Sequence, residues 1–324
     1  MNETKKYFTS EMNRLGQAGV PFAFLIDFDF QKPQLFSLGN SSGEILWQTP
    51  IHSNYSDNLA PGKPFTWHPE NVSAERYAQA FEKVQKEIHN GNTYLLNLTF
   101  PTKIETNLSL ENIFNRSKAR YKILLRDQFV CFSPETFVRI DNGIISSYPM
   151  KGTIDARINN AEVVLKNDPK ELAEHNTIVD LIRNDLSLIA ENVTVENFRY
   201  IDRVKTHRSE LLQMSSKITG QLPENYSENI GTIITKMLPA GSICGAPKKK
   251  TVEIIKAAEQ YNRGYYTGIF GIFDGKNLDS CVLIRFIEQT DDGLIFKSGG
   301  GITFLSNCES EYNELIQKVY VPIT

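Results

Sequence analysis

The sequence has few cysteines, no long apolar run and no excess of charge of either sign. Its four cysteines, Cys131, Cys244, Cys281 and Cys308, are widely spaced, and none forms a Cys-x-x-Cys pair. This spacing argues against a zinc or disulfide framework and indicates reduced thiols in a cytoplasmic protein. The formal net charge of -3 lacks the basic excess that general nucleic-acid binding requires.

The sequence also lacks an apolar stretch of bilayer-spanning length, and its first ten residues lack the apolar core of a signal peptide. Internal repeats and low-complexity segments are absent too. What is present is ordinary globular composition, with 324 residues of which 40% are hydrophobic and 23% charged. Such a chain can form one elaborate domain or two small ones, and we expect it to bind neither nucleic acid nor membrane.

Two parts are predicted along the chain. Residues 1–70 form a short β-rich leader, with strands at 21–30 and 45–47. A proline-rich stretch at 57–70 is the best candidate for a linker. Residues 71–324 then form the main domain, in which strands alternate irregularly with long helices. That pattern favours a mixed α/β or α+β architecture over a regular βαβ fold.

Two features of the helices in the main domain are predicted from local signals. Ser73 is expected to cap a helix that Gly91 ends. Further helices are expected at about 160–187 and 248–261.

The stretch at 299–318 joins three successive glycines to a charged helix. The glycines at 299–301 let the backbone approach a ligand or turn tightly. Ser306 followed by Glu309 predicts a capping box at the start of the helix. Three charged residues then share one helix face: Glu311, Glu314 and Lys318. A solvated face explains this pattern, and so does a site for a metal with an anionic substrate.

A second acidic pair lies on the helix at 171–186. Glu171 and Glu174 are again three residues apart, and they share a stripe with apolar Ile178 and Ile182. The two acids therefore lie on the face that is predicted to be buried. Buried carboxylates require a partner, because their desolvation is costly. A salt bridge to Arg183 and a shared divalent cation such as Mg²⁺ both remain open from the residues alone.

Five segments, in family order over residues 73–320, resemble the chorismate-utilising enzymes. That family contains anthranilate, aminodeoxychorismate, isochorismate and salicylate synthases. The segments are Pro-Met-Lys-Gly-Thr at 149–153, Ala-Glu-His at 173–175 with Val-Asp-Leu-Ile-Arg-Asn-Asp-Leu at 179–186, Gly-Ser-Ile-Cys-Gly-Ala-Pro-Lys at 241–248, Arg-Gly-Tyr-Tyr-Thr-Gly at 263–268, and 299–318. The resemblance implies an α+β (mixed α/β) fold, with two large mixed or antiparallel β-sheets packed as a sandwich and helices outside.

The resemblance also implies a Mg²⁺ site. Glu174 and Glu314 would be direct ligands, and Glu171 and Glu311 would act indirectly or through water. The ring carboxylate of chorismate would bind this metal, with help from Lys318.

The same resemblance implies how the rest of chorismate is bound. Arg285, the Tyr265 hydroxyl and the backbone at Gly301 would bind the enolpyruvyl carboxylate. The other implied substrate-binding residues are Gly152, Thr153, Ser242 and Gln213. Glu135 matches the family's general acid, which protonates the departing C4 hydroxyl. Cys244 stands where the family usually has threonine.

Lys151 indicates which reaction the resemblance implies. Aminodeoxychorismate synthases have lysine at this position, whereas anthranilate synthases usually have alanine. A neutral lysine would attack ring C2, and its pKa would have to be lowered for that step. Isochorismate and salicylate synthases use a different lysine, at the position of Leu95. Many family members have histidine where this chain has Gln213, which disfavours formation of anthranilate.

The implied activity is amination of chorismate to 4-amino-4-deoxychorismate, for 4-aminobenzoate and folate biosynthesis. No cysteine lies in the Gly-x-Cys-x-Gly turn of a glutaminase, so a separate glutamine amidotransferase subunit would supply ammonia. The short leader makes feedback by tryptophan doubtful. Anthranilate synthase component I and a catalytically silent chorismate-binding subunit are the alternatives.

Overall fold

The computed structural model describes residues 3–38, 43–56, 64–205 and 210–323, except for the side chains at positions 153, 170, 204 and 205. The first seven residues of the predicted linker, 57–63, lie outside the described residues. The helices are α1 (Glu3–Gln17), α2 (Ala74–His89), α3 (Leu110–Arg116), α4 (Ala161–Asn167), α5 (Pro169–Ser187), α6 (Ile230–Lys236), α7 (Gly241–Cys244), α8 (Lys248–Glu259) and α9 (Cys308–Gln317). The strands are β1 (Phe22–Ile26), β2 (Gln34–Ser37), β3 (Ile45–Gln48), β4 (His68–Glu70), β5 (Leu95–Glu105), β6 (Tyr121–Leu125), β7 (Phe129–Ser133), β8 (Thr136–Asp141), β9 (Ile144–Ser147), β10 (Met150–Asp155), β11 (Glu191–Lys205), β12 (Glu210–Gln221), β13 (Gly245–Ala246), β14 (Ile269–Phe273), β15 (Leu278–Val282), β16 (Phe286–Thr290) and β17 (Gly293–Thr303).

The described strands form two large antiparallel sheets. One has the order β10-β12-β9-β8-β15-β14-β1-β2, with β11 also paired to β12. The other has the order β13-β5-β17-β16-β7-β6-β3, with β4 also paired to β5. The strands before residue 70 pair into both sheets, since β1 joins β14 and β3 joins β6.

One hydrophobic core lies between the sheets. Leu25 and Phe270 from the first sheet pack in one cluster with Trp47, Ile123 and Phe129 from the second. Burying such large side chains on both inner faces is what holds two sheets together as a sandwich.

Helices cover the outer faces of the sandwich. Phe8 of α1, Ile178 of α5 and Ile234 of α6 pack against the first sheet. Tyr77 of α2 and Ile255 of α8 pack with strand β5 of the second sheet. The predicted fold class, two large sheets with helices outside, is therefore confirmed. Among the helices that the structure describes, none combines the length and the apolar character that a bilayer crossing demands.

Several local predictions are confirmed and others are wrong. Ser73 caps α2, and its hydroxyl accepts a hydrogen bond from the Arg76 amide. The single helix predicted at 160–187 is instead split into α4 and α5, because Asp168 caps a new helix that Pro169 opens. At α9 the predicted cap Ser306 is wrong, since Asn307 accepts the bond from the Ser310 amide.

Three large elements were not predicted at all. Helix α1 carries apolar residues at helical spacing, since Phe8 and Met12 are buried and Leu15 packs beside them. Strand β12 buries Leu212, Met214 and Ile218, which lie on one face of the strand. Local periodic signals were therefore present in α1 and β12 and were overlooked.

Candidate active site

A cavity of about 510 Å³ opens between β10, β17, α5 and α9. Most of the residues named from the sequence line it, namely Glu135, Lys151, Gly152, Glu171, Glu174, Gln213, Ser242, Arg285, Gly301, Glu314 and Lys318. Glu311 is buried just behind the lining. The backbone of Thr153 lies opposite Gln213 in the β10–β12 pair. The fold thus gathers residues from distant parts of the chain around one space.

Two neighbouring glycines of β17 bring the two acidic helices together. A Cβ atom built on Gly300 would lie 3.6 Å from Glu311 Oε2, 3.7 Å from Glu314 Oε1 and 3.8 Å from Lys318 Nζ. A Cβ atom on the next residue, Gly301, would lie 3.3 Å from Glu174 Oε2 on α5. Because the strand has no side chains here, the carboxylates of both helices approach its backbone.

Lys151 lies on strand β10. Strand β10 is irregular between Lys151 and Thr153, where Gly152 has a φ of 76°. Only a residue without a Cβ adopts this conformation easily, and the irregularity turns the lysine toward the cavity. Lys151 Nζ lies 3.2 Å from Glu174 Oε2.

The surrounding glutamates determine the protonation of the Lys151 amine in this structure. Burial lowers the pKa of the Lys151 amine, but the carboxylates of Glu174, Glu314 and Glu171 outweigh burial and raise it above its ordinary value. In this structure the amine is therefore a protonated partner of the glutamates. The lowering of this pKa that nucleophilic attack requires stays a prediction for the site with bound Mg²⁺.

Glu135 has the properties of a proton donor. Burial raises the pKa of its carboxyl group, although the hydrogen bond from the Ser242 hydroxyl and the charge of Lys151 act in the opposite direction. The Ser242 hydroxyl, on α7, donates directly to Glu135 Oε1. A carboxyl group with a raised pKa holds its proton closer to neutral pH, as a general acid requires.

Arg285 presents an unpaired donor at the cavity. It follows β15 and has a φ of 58°, which is uncommon for a residue other than glycine. Its Nη1 atom is buried and has no hydrogen-bond partner within residues 3–38, 43–56, 64–205 and 210–323. A buried guanidinium nitrogen without a partner is suited to a carboxylate ligand.

Lys318, the other lysine of the site, pairs with Glu314 on α9. Lys318 Nζ lies 2.6 Å from Glu314 Oε1 and donates to the Gly299 carbonyl oxygen at 2.9 Å. Burial lowers the pKa of Lys318, although Glu314 opposes that effect.

Tyr265 and Arg183, which the sequence analysis considered as site residues, make their contacts outside the cavity. The Tyr265 hydroxyl donates to the Lys32 carbonyl oxygen and accepts from the Gln34 amide, outside the cavity lining. Its neighbour Tyr266 lines the cavity instead. The motif contains both tyrosines, so the sequence could not distinguish them. Arg183 pairs with Asp180 on the exposed face of α5, so it does not neutralise the buried glutamates.

Leu95 is the residue that the sequence resemblance aligns with the water-activating lysine of isochorismate and salicylate synthases. Its Cδ1 atom would lie 3.4 Å from a Cβ atom on Gly301, whose other neighbours are Lys151 Nζ and Glu174 Oε2. Sequence reasoning missed other lining residues that lie outside motifs or were not singled out, among them Asn97, Lys297, Gln317 and Tyr320.

The donor set fits a divalent cation. The carboxylates of Glu311 and Glu314 lie beside Gly300, that of Glu174 lies beside Gly301 and that of Glu171 lies beside Gly152. All-oxygen ligation by such side chains suits Mg²⁺. In the part of the chain that the structure describes, no three His, Cys, Asp or Glu side chains are grouped closely enough to hold a metal. Instead the ammonium groups of Lys151 and Lys318 lie against Glu174 and Glu314. The carboxylates thus attract positive charge, which is the property that a cation site requires.

The chain resembles known proteins in sequence and in fold. A family model described as chorismate binding enzyme matches residues 37–324. An uncharacterized PabA-like protein of Pasteurella multocida is 52% identical over 98% of this chain and 98% of its own length. Aminodeoxychorismate synthase component 1 of Salmonella typhimurium is 30% identical over 92% of this chain and 67% of its own length. The menaquinone-specific isochorismate synthase of Escherichia coli shares the fold, with a TM-score of 0.74 at 16% identity over 97% of this chain and 80% of its own.

Proposed function

We propose for this chain, which belongs to the chorismate-binding enzyme family, the amination of chorismate at C4 to 4-amino-4-deoxychorismate. The observation that carries the proposal is the position of Lys151. Its amine lies inside the cavity against Glu174, and the apolar Leu95 stands beside it. An amine at this place supports nucleophilic catalysis, whereas leucine offers no base for adding water.

The proposed reaction has two substitution steps. Lys151 first loses its proton to solvent. Its neutral amine then bonds to ring C2, the ring double bond shifts, and the C4 hydroxyl leaves as water with the proton of Glu135. Ammonia then bonds to C4, the double bond shifts back, and the bond from Lys151 to C2 breaks. The Glu135 carboxylate takes a proton from the new ammonium group, which restores the acid.

The remaining side chains bind and orient the substrate. Arg285 Nη1 would bind the enolpyruvyl carboxylate, assisted by the backbone of Gly152 and Gly301. Lys318 would approach the ring carboxylate. Ser242 holds Glu135 in place, and Gln213 lines the wall beside β10. We assign no substrate contact to Tyr265; Tyr266 takes that place.

Glu174 and Glu314 would hold Mg²⁺, with Glu171 and Glu311 behind them. A bound Mg²⁺ would supply positive charge for the ring carboxylate and for the glutamates that pair with Lys151 in this structure. We propose that ammonia comes from a separate glutamine amidotransferase, since the sequence has no glutaminase cysteine turn.

The test is Lys151→Ala, assayed with chorismate, Mg²⁺ and ammonium, with products separated by chromatography. We expect formation of 4-amino-4-deoxychorismate to fall about 1,000-fold or more, because the nucleophile is lost. Lys166→Ala is the matched control, since Lys166 pairs with Glu162 on the surface of α4. An unchanged rate in Lys151→Ala, or anthranilate or isochorismate as the main product of the parent enzyme, would refute the proposal.

A further inference from the structure

The segment after α9 passes along the cavity with one side chain turned toward it. Val319, Val321 and Ile323 are buried in a core that includes Phe132 and Phe296. The intervening Tyr320 is not part of that core, and it lines the cavity.

This segment is held in place by hydrogen bonds on its main chain. The Trp67 indole donates to the Val319 carbonyl oxygen at 3.3 Å, and the Lys118 amide donates to the Pro322 carbonyl oxygen at 3.0 Å. The backbone on both sides of Tyr320 is thus anchored, although the Tyr320 side chain itself is 42% exposed.

The Tyr320 ring lies against the guanidinium group of Arg285. The Arg285 Cζ atom is 4.9 Å from the centroid of the ring. An aromatic face attracts a guanidinium group and leaves the N–H groups at its edge available to a ligand. The Nη1 atom at that edge is the buried donor without a partner described above.

We propose that Tyr320 is a positioning residue, whose ring fixes the Arg285 guanidinium for a substrate carboxylate. The inference rests on the proposed function in that the carboxylate is taken to be one of the two on chorismate. It goes beyond that function because Tyr320 lies outside the five motifs. Arg285 needs such support, since its backbone has an uncommon conformation and its long side chain would otherwise sample many rotamers.

The experiment compares Tyr320→Ala, Tyr320→Leu and Tyr320→Phe in the full chain, with chorismate as the varied substrate. We expect the alanine and leucine variants to raise KM for chorismate roughly threefold to tenfold with kcat nearly unchanged, since they lose the cation–π contact. The phenylalanine variant should return KM to within about twofold of the parent value, because the ring is what acts. Tyr7→Ala, an exposed tyrosine on α1, is the control.

A binding measurement separates this proposal from the assigned reaction. Chorismate affinity, measured by calorimetry in the presence of Mg²⁺, should weaken in parallel with KM. This calorimetric measurement gives a result even if the enzyme does not form the amination product. A product other than 4-amino-4-deoxychorismate would refute the function, whereas equal affinity in parent and Tyr320→Ala would refute the role of Tyr320.

Two further results decide the mechanism. In an Arg285→Ala background, Tyr320→Ala should add little to the loss of affinity, because Tyr320 acts through Arg285. Full additivity would overturn the proposal. The proposal would also be overturned if Tyr320→Phe raised KM as much as Tyr320→Ala does. The same holds if Tyr320→Leu kept the KM of the parent, or if the variants lowered kcat without changing KM. Circular dichroism checks that each variant is folded.

Discussion

Lys151 and Glu174 meet over the backbone of Gly301. Their nitrogen and oxygen atoms are 3.2 Å apart, and a Cβ atom on Gly301 would lie 2.9 Å from Lys151 Nζ and 3.3 Å from Glu174 Oε2. The absence of a side chain at this one position therefore permits the contact on which the proposed chemistry depends. A side chain at Gly301 of β17 would contact both the lysine of β10 and the glutamate of α5.

Gly301→Ala is predicted to impair catalysis by pushing these two groups apart. We expect kcat/KM for chorismate to fall about 100-fold, since misplacement of a catalytic group by about 1 Å has effects of this order. Steady-state amination with ammonium measures the effect.

Gly300→Ala is the matched comparison for that variant. Its Cβ atom would meet Glu311, Glu314 and Lys318 at 3.6 to 3.8 Å, which is ordinary contact. We therefore expect a loss of less than about tenfold. Equal losses in the two variants would show that the Lys151–Glu174 contact is not the sensitive element.

Ser242→Ala is predicted to change the pH dependence of the reaction. The Ser242 hydroxyl donates to Glu135 and so lowers the pKa of that carboxyl group, while burial raises it. Removing the hydroxyl should raise the pKa of Glu135 further. Because the first step uses protonated Glu135, activity falls as pH rises through this pKa. The alkaline limb of the kcat profile should therefore move to higher pH.

The control for this shift is Ser187→Ala, on the exposed surface of α5, which should leave the profile unchanged. An alkaline limb that stays in place or moves to lower pH in Ser242→Ala would contradict the role of Glu135 as general acid.

Glu314→Gln is predicted to weaken the binding of Mg²⁺ at the site. Loss of one carboxylate charge should raise the Mg²⁺ concentration for half-maximal activity about tenfold or more. Glu309→Gln, an exposed residue of the same helix, is the matched control. Direct titration of Mg²⁺ by calorimetry should show the same change without turnover. Identical Mg²⁺ curves for parent and Glu314→Gln would remove this glutamate from the metal site.

Local signals in the sequence predicted some of the fold well. The serine cap of α2 is confirmed, because it depends on residues within one helical turn. Helix α1 and the pair β11–β12 were missed although α1 and β12 carry periodic apolar residues. Contacts with distant parts of the chain also stabilise these elements, since α1 packs on α6 and β12 pairs with β9 and β10.

The sequence by itself determined which residues were candidates for the site, because motif order and helical spacing are local properties. Glutamate pairs three residues apart must share a helix face, whatever the rest of the chain does. Only the tertiary structure decided that Tyr266 rather than Tyr265 lines the cavity, and that Lys151 rather than Arg183 meets the buried Glu174. Such choices depend on contacts between distant segments. The raised pKa of Lys151 has the same origin, since α5 and α9 both bring their carboxylates to a lysine on β10.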